Sequence, residues 1–401
     1  MPMFQVPLYE INNRLARFQA MLAQKDIDAA IIRQNTDLYY FTGTVQDAHL
    51  IVPAAGAPCF LVRRDVARAE QQSGIRPVVA LKSVREVPAK LFECCGTESV
   101  ARIGLELDVL PAGTFFFYDR KLFEKQQIVD IGTLVRQVRM IKSQWEIEMM
   151  RRAGGISQAV TKAVPGILRQ GMRETDLCIE LEHAARRAGH LGFARVRAFN
   201  MEIFFGHVLS GAEAAVSAYC DSPTGGPGVS PAFGQGAGDR IMQEGDLVSV
   251  DTMVNHHGYL NDQTRNFGLG SVDDRLKEAY RLSCRLHQWA RENVRPGMPA
   301  GGVYDSLMSL AAPSPLGAYF MGCGDAKVSF IGHGLGLEVD EFPFIAKGQQ
   351  MPLAAGMTFA LEPKWVMPGI GVAGIENTYL VTDHGLESLN SAAEDLLMLP
   401  C

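Results

Sequence analysis

Asp251 lies in the strand-like run Leu247–Val254, and eleven residues further on Asp262 opens Asp262-Gln263-Thr264-Arg265 within a second such run, Tyr259–Arg265. Between them Asn255-His256-His257-Gly258 reads as a hairpin turn. A turn centred between His256 and His257 sets Asp251 directly opposite Asp262. Two carboxylates so placed have Cβ atoms roughly 5 Å apart and repel unless something cationic sits between them. The pattern recurs near the C-terminus, where Thr358–Glu362 and Gly374–Leu380 flank Pro368-Gly369, and a turn centred at Gly369 pairs Glu362 with Glu376. One imidazole, His333 in Ile331-Gly332-His333-Gly334-Leu335-Gly336, stands between glycines that let the backbone approach closely. Four carboxylates and one neutral histidine suit two divalent ions: Mn, Co or Fe(II) match the oxygen-rich set, and zinc fits it less well. A pair of such ions activates water as a nucleophile and polarises a carbonyl, while one carboxylate must shuttle the proton.

Each of these residues also has a plainer explanation. An Asp in a strand can cap a turn, Glu362 can pair with Lys364 or Arg265, and a His between glycines can satisfy a backbone carbonyl. Adjacent His256 and His257 are better read as solvent-facing turn residues than as ligands. Joint occurrence in two hairpins and one glycine-flanked strand decides for a metal centre at Asp251, Asp262, His333, Glu362 and Glu376.

The elements that must position these side chains fall into two domains, as expected for 401 residues. Residues 1–140 read as an α/β domain, with strands at Ala29–Ile32, Leu50–Val52, Cys59–Val62, Ile103–Glu106 and Ile128–Ile131, the second and third forming a hairpin. No cluster with ligand spacing occurs there. The catalytic domain, 141–401, opens at Ile141-Lys142, where Ser143 with Glu146 is a capping-box pattern; Trp145, Met149, Ile156 and Val160 then recur at helical spacing as a core stripe. Further helices are expected from about Asp176 to Ala188 and from near Ser271 to just before Pro296-Gly297.

Composition excludes several functions. The chain carries net charge -6 and no Lys/Arg cluster, so neither nucleic acid nor an anionic membrane is an expected partner. No run reaches the roughly 18 apolar residues of a membrane span, and the N-terminus lacks the basic start and apolar stretch of a signal peptide. Eight cysteines without C-x-x-C spacing, Cys94 and Cys95 among them, read as plain thiols in a cytoplasmic protein. Gly332–Gly336 and Gly268-Leu269-Gly270 complete no nucleotide loop.

With these contexts the chain resembles the pita-bread metallohydrolases: methionine aminopeptidase, aminopeptidase P, prolidase and creatinase. Their ligands are a strand Asp, the Asp of D-x-T-R, the His of G-H-G, the Glu of E-P and the Glu of I-E-x-T, all present here in order. The resemblance also covers Met140-Ile141-Lys142-Ser143 with Glu146, the family's usual start to this domain. It implies a creatinase-like α/β N-terminal domain, an α+β pita-bread catalytic domain, and a homodimer. It further implies that Asp262 and Glu376 bridge the metals, that Glu362 shuttles the proton, and that short peptides, nominally of Xaa-Pro type, are the substrates. The extra N-terminal domain argues against a methionine aminopeptidase.

Three positions depart from the Xaa-Pro peptidases. Their G-H-G-x-G-L-x-V-H ends here in Asp340, the Arg of their R-x-E is Gly374, and a His some seventeen residues before the first ligand gives way to Pro231–Gly236. Losing cationic donors and gaining Asp340 favours a neutral or cationic leaving side over a prolyl carboxylate; alternatively Asp340 caps a turn or pairs with an Arg. His207 is a candidate general acid, and Tyr219, with Asp221, a candidate substrate contact that reaches the pocket through the adjoining Gly/Pro-rich stretch 222–238. Two other classes stay open: a non-peptidase of the same fold, a creatinase-like C–N hydrolase or lyase acting on a small cationic compound, and a binding module without catalysis, against which the intact ligand set argues.

Overall fold

The computed structural model describes residues 4–401, so the first three residues of the N-terminal stretch lie outside it. The chain divides into two compact units, Met1–Arg139 and Met140–Cys401. No helix among the described residues is long and apolar enough to cross a membrane.

The first unit is a six-stranded mixed sheet of β1 (Ala29–Ile32), β2 (Ala48–Pro53), β3 (Cys59–Val62), β4 (Val78–Ala80), β5 (Arg102–Leu105) and β6 (Gln127–Asp130), in the order β4-β3-β2-β1-β5-β6. Antiparallel β2 and β3 form the expected hairpin, and β1, β5 and β6 run parallel. Its helices are α1 (Leu8–Gln24), α2 (Asn35–Thr42), α3 (Val66–Gln72), α4 (Val87–Cys95), α5 (Ala112–Phe117) and α6 (Gly132–Met140). Cys94 and Cys95 are half-buried on α4.

The second unit starts with α7 (Gln144–Ile167), capped by Ser143 and Glu146 in the reciprocal manner their spacing indicates. Then come α8 (Glu174–Arg187), β7 (Gly206–Ser210), β8 (Leu247–His256), β9 (Tyr259–Leu269), α9 (Asp274–Asn293) and α10 (Ala300–Ala311). The strands β10 (Phe330–Leu335), β11 (Val339–Ala346), β12 (Thr358–Leu361), β13 (Lys364–Met367), β14 (Gly371–Gly374), β15 (Glu376–Thr382), β16 (Gly385–Ser388) and β17 (Leu397–Leu399) follow. The main sheet runs β11-β10-β12-β15-β9-β8-β7, with β16 on β15 and β17 on β9, while β13 and β14 pair separately. Ile156 and Val160 of α7 pack with Leu177 and Val248 in one core, and Leu276, Leu286 and Val303 pack with Phe359 and Trp365 in another. Helices α8 and α9 begin at Glu174 and Asp274, two residues before and three after their expected starts.

Strand β9 is buried along its whole length although Asn261–Asn266 are six consecutive polar residues. Buried polar groups need partners, and most atoms here have them, though Asn261 Nδ2, Asp262 Oδ1 and Asn266 Nδ2 do not. Asn261 accepts from Ser157 at 2.7 Å, Gln263 donates to Thr161 at 2.6 Å, and Asn266 accepts from the Gly374 amide at 2.8 Å.

The register of the β8–β9 hairpin corrects the expectation. His257 (φ 50°) and Gly258 (φ 91°) both lie in the left-handed region, the mirror-image two-residue turn whose twist matches that of paired strands. The turn is therefore centred one residue later, Asp251 faces Thr264, and Asp262 faces Met253. Because the slip is two residues, both carboxylates keep the same face, now as diagonal neighbours with more room between them. The C-terminal pairing agrees with its expectation, since Leu361 faces Asn377 and Lys364 faces Gly374 on either side of Glu362 and Glu376.

Candidate metal centre

Asp251 (β8), Asp262 (β9), His333 (β10), Glu362 (between β12 and β13) and Glu376 (the first residue of β15) converge in one cavity of the second unit. The motif residues between them fix their placement. Thr264 donates to Glu376 Oε2 at 2.8 Å, and Arg265 holds the Glu376 carbonyl at 2.9 Å and Asn377 Oδ1 at 2.8 Å. Thr378 accepts from the Asp262 amide and donates to its carbonyl, each at 3.0 Å. The D-x-T-R and I-E-x-T patterns are thus two halves of one clamp between β9 and β15. Gly332 and Gly334 allow β10 to sit close to its neighbours: a Cβ at Gly332 would stand 2.3 Å from Ala360 O, and one at Gly334 2.5 Å from Glu341 O.

His333 Nε2 lies 3.9 Å from each of Asp262 Oδ2, Glu362 Oε1 and Glu376 Oε1. Asp262, His333 and Glu376 offer ligand atoms all within 4.8 Å of one another. Asp262 Oδ1 is buried without a hydrogen-bond partner, a costly state for a carboxylate oxygen that a cation would relieve. These donors fit a divalent ion. On its other side, His333 Nδ1 is 3.4 Å from Gly334 O and 3.6 Å from Asp340 Oδ1, which favours the tautomer that leaves Nε2 free to ligate.

Electrostatics reflect the crowding. Burial, then the Glu376 and Asp251 carboxylates, push Asp262 well above the usual carboxylate range. Burial likewise raises Glu376 to about 7, against the pull of Lys364. For His333 burial works against the charged form, but Asp340, Glu362 and Glu376 outweigh it and raise the pKa.

Lys364 is the unexpected member of the centre. Buried on β13, it donates to Asp251 Oδ2 at 2.7 Å, Glu362 Oε2 at 2.9 Å and Glu376 Oε2 at 3.1 Å. Its pairing with Glu362 was legible in the sequence only as an alternative to ligation; the structure has that contact together with the converging candidate ligands.

The remaining candidates fall at different distances from this chemistry. His207 on β7 faces Asp251 in register and lines the cavity, with Nδ1 3.0 Å from Thr224 Oγ1 and Nε2 3.1 Å from Gln235 Oε1. Burial lowers its pKa. Gln235, from the loop where the resemblance expects a histidine, lines the cavity and donates to Tyr219 Oη at 3.1 Å. Tyr219 is exposed and holds that loop from outside, whereas Asp221 lines the cavity. Asp340 also lines it, at φ 62° beside His333. His256 and His257 are half-buried at the hairpin turn, away from the cavity wall.

Sequence reading missed Glu341. It accepts from Lys142 at 2.9 Å and from the amides of Leu337 and Glu338 at 2.9 and 3.1 Å, and so shapes the segment that presents Asp340. The only hint was Lys142 in the domain-opening motif.

The chain is similar to known proteins along nearly its whole length. The "Probable dipeptidase PepE" of Mycobacterium tuberculosis is 29% identical over 404 residues, covering 96% of each chain. The "Xaa-Pro dipeptidase" of Pyrococcus horikoshii is 25% identical over 389 residues, covering 96% of this chain and 99% of its own. Among solved structures, dipeptidase PepE from Mycobacterium ulcerans superposes with a TM-score of 0.78 at 26% identity, covering 99% of this chain and 100% of its own. The prolidase from Pyrococcus horikoshii OT3 has a TM-score of 0.81 at 24% identity, over 96% of this chain and 100% of its own, and shares the fold. The Creatinase/Prolidase N-terminal domain profile matches residues 14–141. The profile of metallopeptidase family M24 matches residues 148–383, more than half of the chain and a range that includes every candidate ligand, and the chain belongs to that family.

Proposed function

We propose that the chain hydrolyses short peptides with divalent metal held within the cluster of Asp251, Asp262, His333, Glu362 and Glu376, as a dipeptidase of the kind its relatives' names describe. The observation that carries this reading is the convergence of three carboxylates on one histidine, with Asp251 in the same cavity and a buried Asp262 oxygen left unsatisfied. Mn, Co or Fe(II) suits so oxygen-rich a set better than zinc. A bound divalent ion supplies Lewis acidity and an activated nucleophile. Glu362 lines the cavity beside these donors and is placed to carry a proton from the nucleophile to the leaving nitrogen. His207, kept neutral by burial, serves better as a hydrogen-bond donor to the substrate than as a charged general acid. Eight free cysteines and the family resemblance support a cytoplasmic homodimer, which sedimentation of the purified chain tests.

The cavity favours one kind of peptide. None of its described lining residues is Lys or Arg, whereas Glu202, Asp221 and Asp340 add carboxylates beyond the ligands. Lys364 is already engaged by three carboxylates, so it does not replace the cation missing at Gly374. A free prolyl carboxylate finds no cationic anchor here. The decisive assay compares Xaa-Pro dipeptides, their C-terminal amides, Xaa-Pro tripeptides and creatine with metal-loaded enzyme. We expect the amide or tripeptide to exceed the dipeptide acid in kcat/KM by about tenfold, the order of one unpaired charge. Preference for the acid would refute the pocket argument and leave the peptidase reading standing. A metal-loaded enzyme silent on every peptide would favour the creatinase-like alternative, whose small cationic substrates the same acidic wall suits.

A further inference from the structure

Glu362 and Glu376 each divide their two oxygens between different neighbours. Their Oε1 atoms face His333 Nε2, each at 3.9 Å, as does Asp262 Oδ2. Their Oε2 atoms face Lys364 Nζ, and Asp251 Oδ2 completes that second group. An ammonium has three N–H donors, and Lys364 has one carboxylate oxygen for each.

We propose that Lys364 is a built-in cation standing where a second divalent ion would be held, so that the centre binds one ion tightly, between His333, Asp262, Glu362 and Glu376. This rests on the reading of the cluster as a metal centre and sets how many ions it holds. Four carboxylates carry four negative charges; one dication and one ammonium neutralise all but one of them. A second dication among Asp251, Glu362 and Glu376 would share the oxygens the ammonium uses and stand against it. Two like charges in contact away from water repel by far more than surface charges do. The lysine is packed in place. Its side chain is 1% exposed, the neighbouring Trp365 is wholly buried, and its stem fills the space above Gly374 on the facing strand, where a Cβ would stand 3.2 Å from Lys364 Cγ. Asp251 then serves the ammonium, and Asp262 and His333 serve the ion.

Equilibrium dialysis against Mn2+, followed by elemental analysis of the folded chain, counts the ions directly. We expect about one ion per chain in the native protein and about two in Lys364→Ala, where the ammonium and its stem are gone. Two tightly held ions in the native protein, or one in both proteins, would overturn the proposal. No ion in either would overturn the metal-centre reading itself, so the two failures are distinguishable. Should Lys364→Ala fail to fold, Asp251→Asn decides in its place: the affinity for the single ion should change by less than about threefold, whereas His333→Ala should abolish binding. A drop of tenfold or more in Asp251→Asn would show that Asp251 holds the ion.

Discussion

At the scale of single residues, the five candidate ligands were legible because each sits in a short pattern whose neighbours have their own tasks. Thr264 and Arg265 after Asp262, and Thr378 after Glu376, clamp β9 to β15. What the sequence hides is which side chains meet from afar. Lys142 and Glu341 are 199 positions apart, and no periodicity foretells that pair. Lys364 was visible as a neighbour of Glu362, but not as a group reaching Asp251 and Glu376 as well. Asp340 reads differently once its place is known. Beside His333 Nδ1 it orients the imidazole, in addition to making the cavity acidic. Removal of such an outer partner typically weakens metal binding 10–100-fold, and we expect Asp340→Asn to do so in a chelator-competition titration. An unchanged affinity would mean that the Gly334 carbonyl alone orients His333.

At the scale of elements, composition and alternation located the strands, whereas register depended on backbone angles that residue types only suggest. His257 adopts a left-handed conformation uncommon outside glycine, so the turn centre was misplaced by one residue and the pairing by two. The C-terminal register was readable because Pro368-Gly369 marks its turn. Polar strand β9 is foreign to simple patterning, since its face is buried by hydrogen bonding instead of apolar packing. Close strand approach at β10 gives a direct test. Gly332→Ala would press a methyl against Ala360 O, and overpacking of this kind costs about 1–3 kcal/mol. Chemical denaturation should register that loss, accompanied by weaker metal binding through displaced His333; native stability in the variant would show that β10 and β12 can separate freely. Ser143→Ala removes one half of the α7 capping box and should cost about 1 kcal/mol in the same measurement without altering metal affinity.

At the scale of the whole molecule, the centre couples folding to pH and metal. Without metal, Asp262 and Glu376 titrate above their ordinary values, Glu376 at about 7, chiefly because burial disfavours their charge. A carboxyl whose pKa is raised on folding stabilises the protein fully below its unfolded value, and that contribution is lost as pH rises through the folded value. His333, also raised, loses its contribution in the same direction above about 6.5. Metal-depleted protein should therefore lose Tm between about pH 4.5 and 7 from Glu376, with Asp262 and His333 adding losses in the same direction. Added Mn2+ favours the deprotonated ligands, so the increase in Tm on adding it should grow over that interval. Thermal melts at matched ionic strength check this; an increment independent of pH would show that the ion binds elsewhere.

The most direct measurement of the central claim follows peptide-bond hydrolysis and metal content together in one preparation: native enzyme depleted with chelator, the same enzyme reloaded with Mn2+, and Glu362→Gln reloaded identically. We expect the depleted enzyme to be inactive and the reloaded enzyme to recover cleavage of Xaa-Pro peptides. The reloaded Glu362→Gln should retain metal but lose about 10²–10⁴-fold in kcat, the span attributed to a positioned proton carrier. Cleavage that survives complete metal removal, or a Glu362→Gln enzyme as active as the native one, would contradict a metallopeptidase centred on these residues.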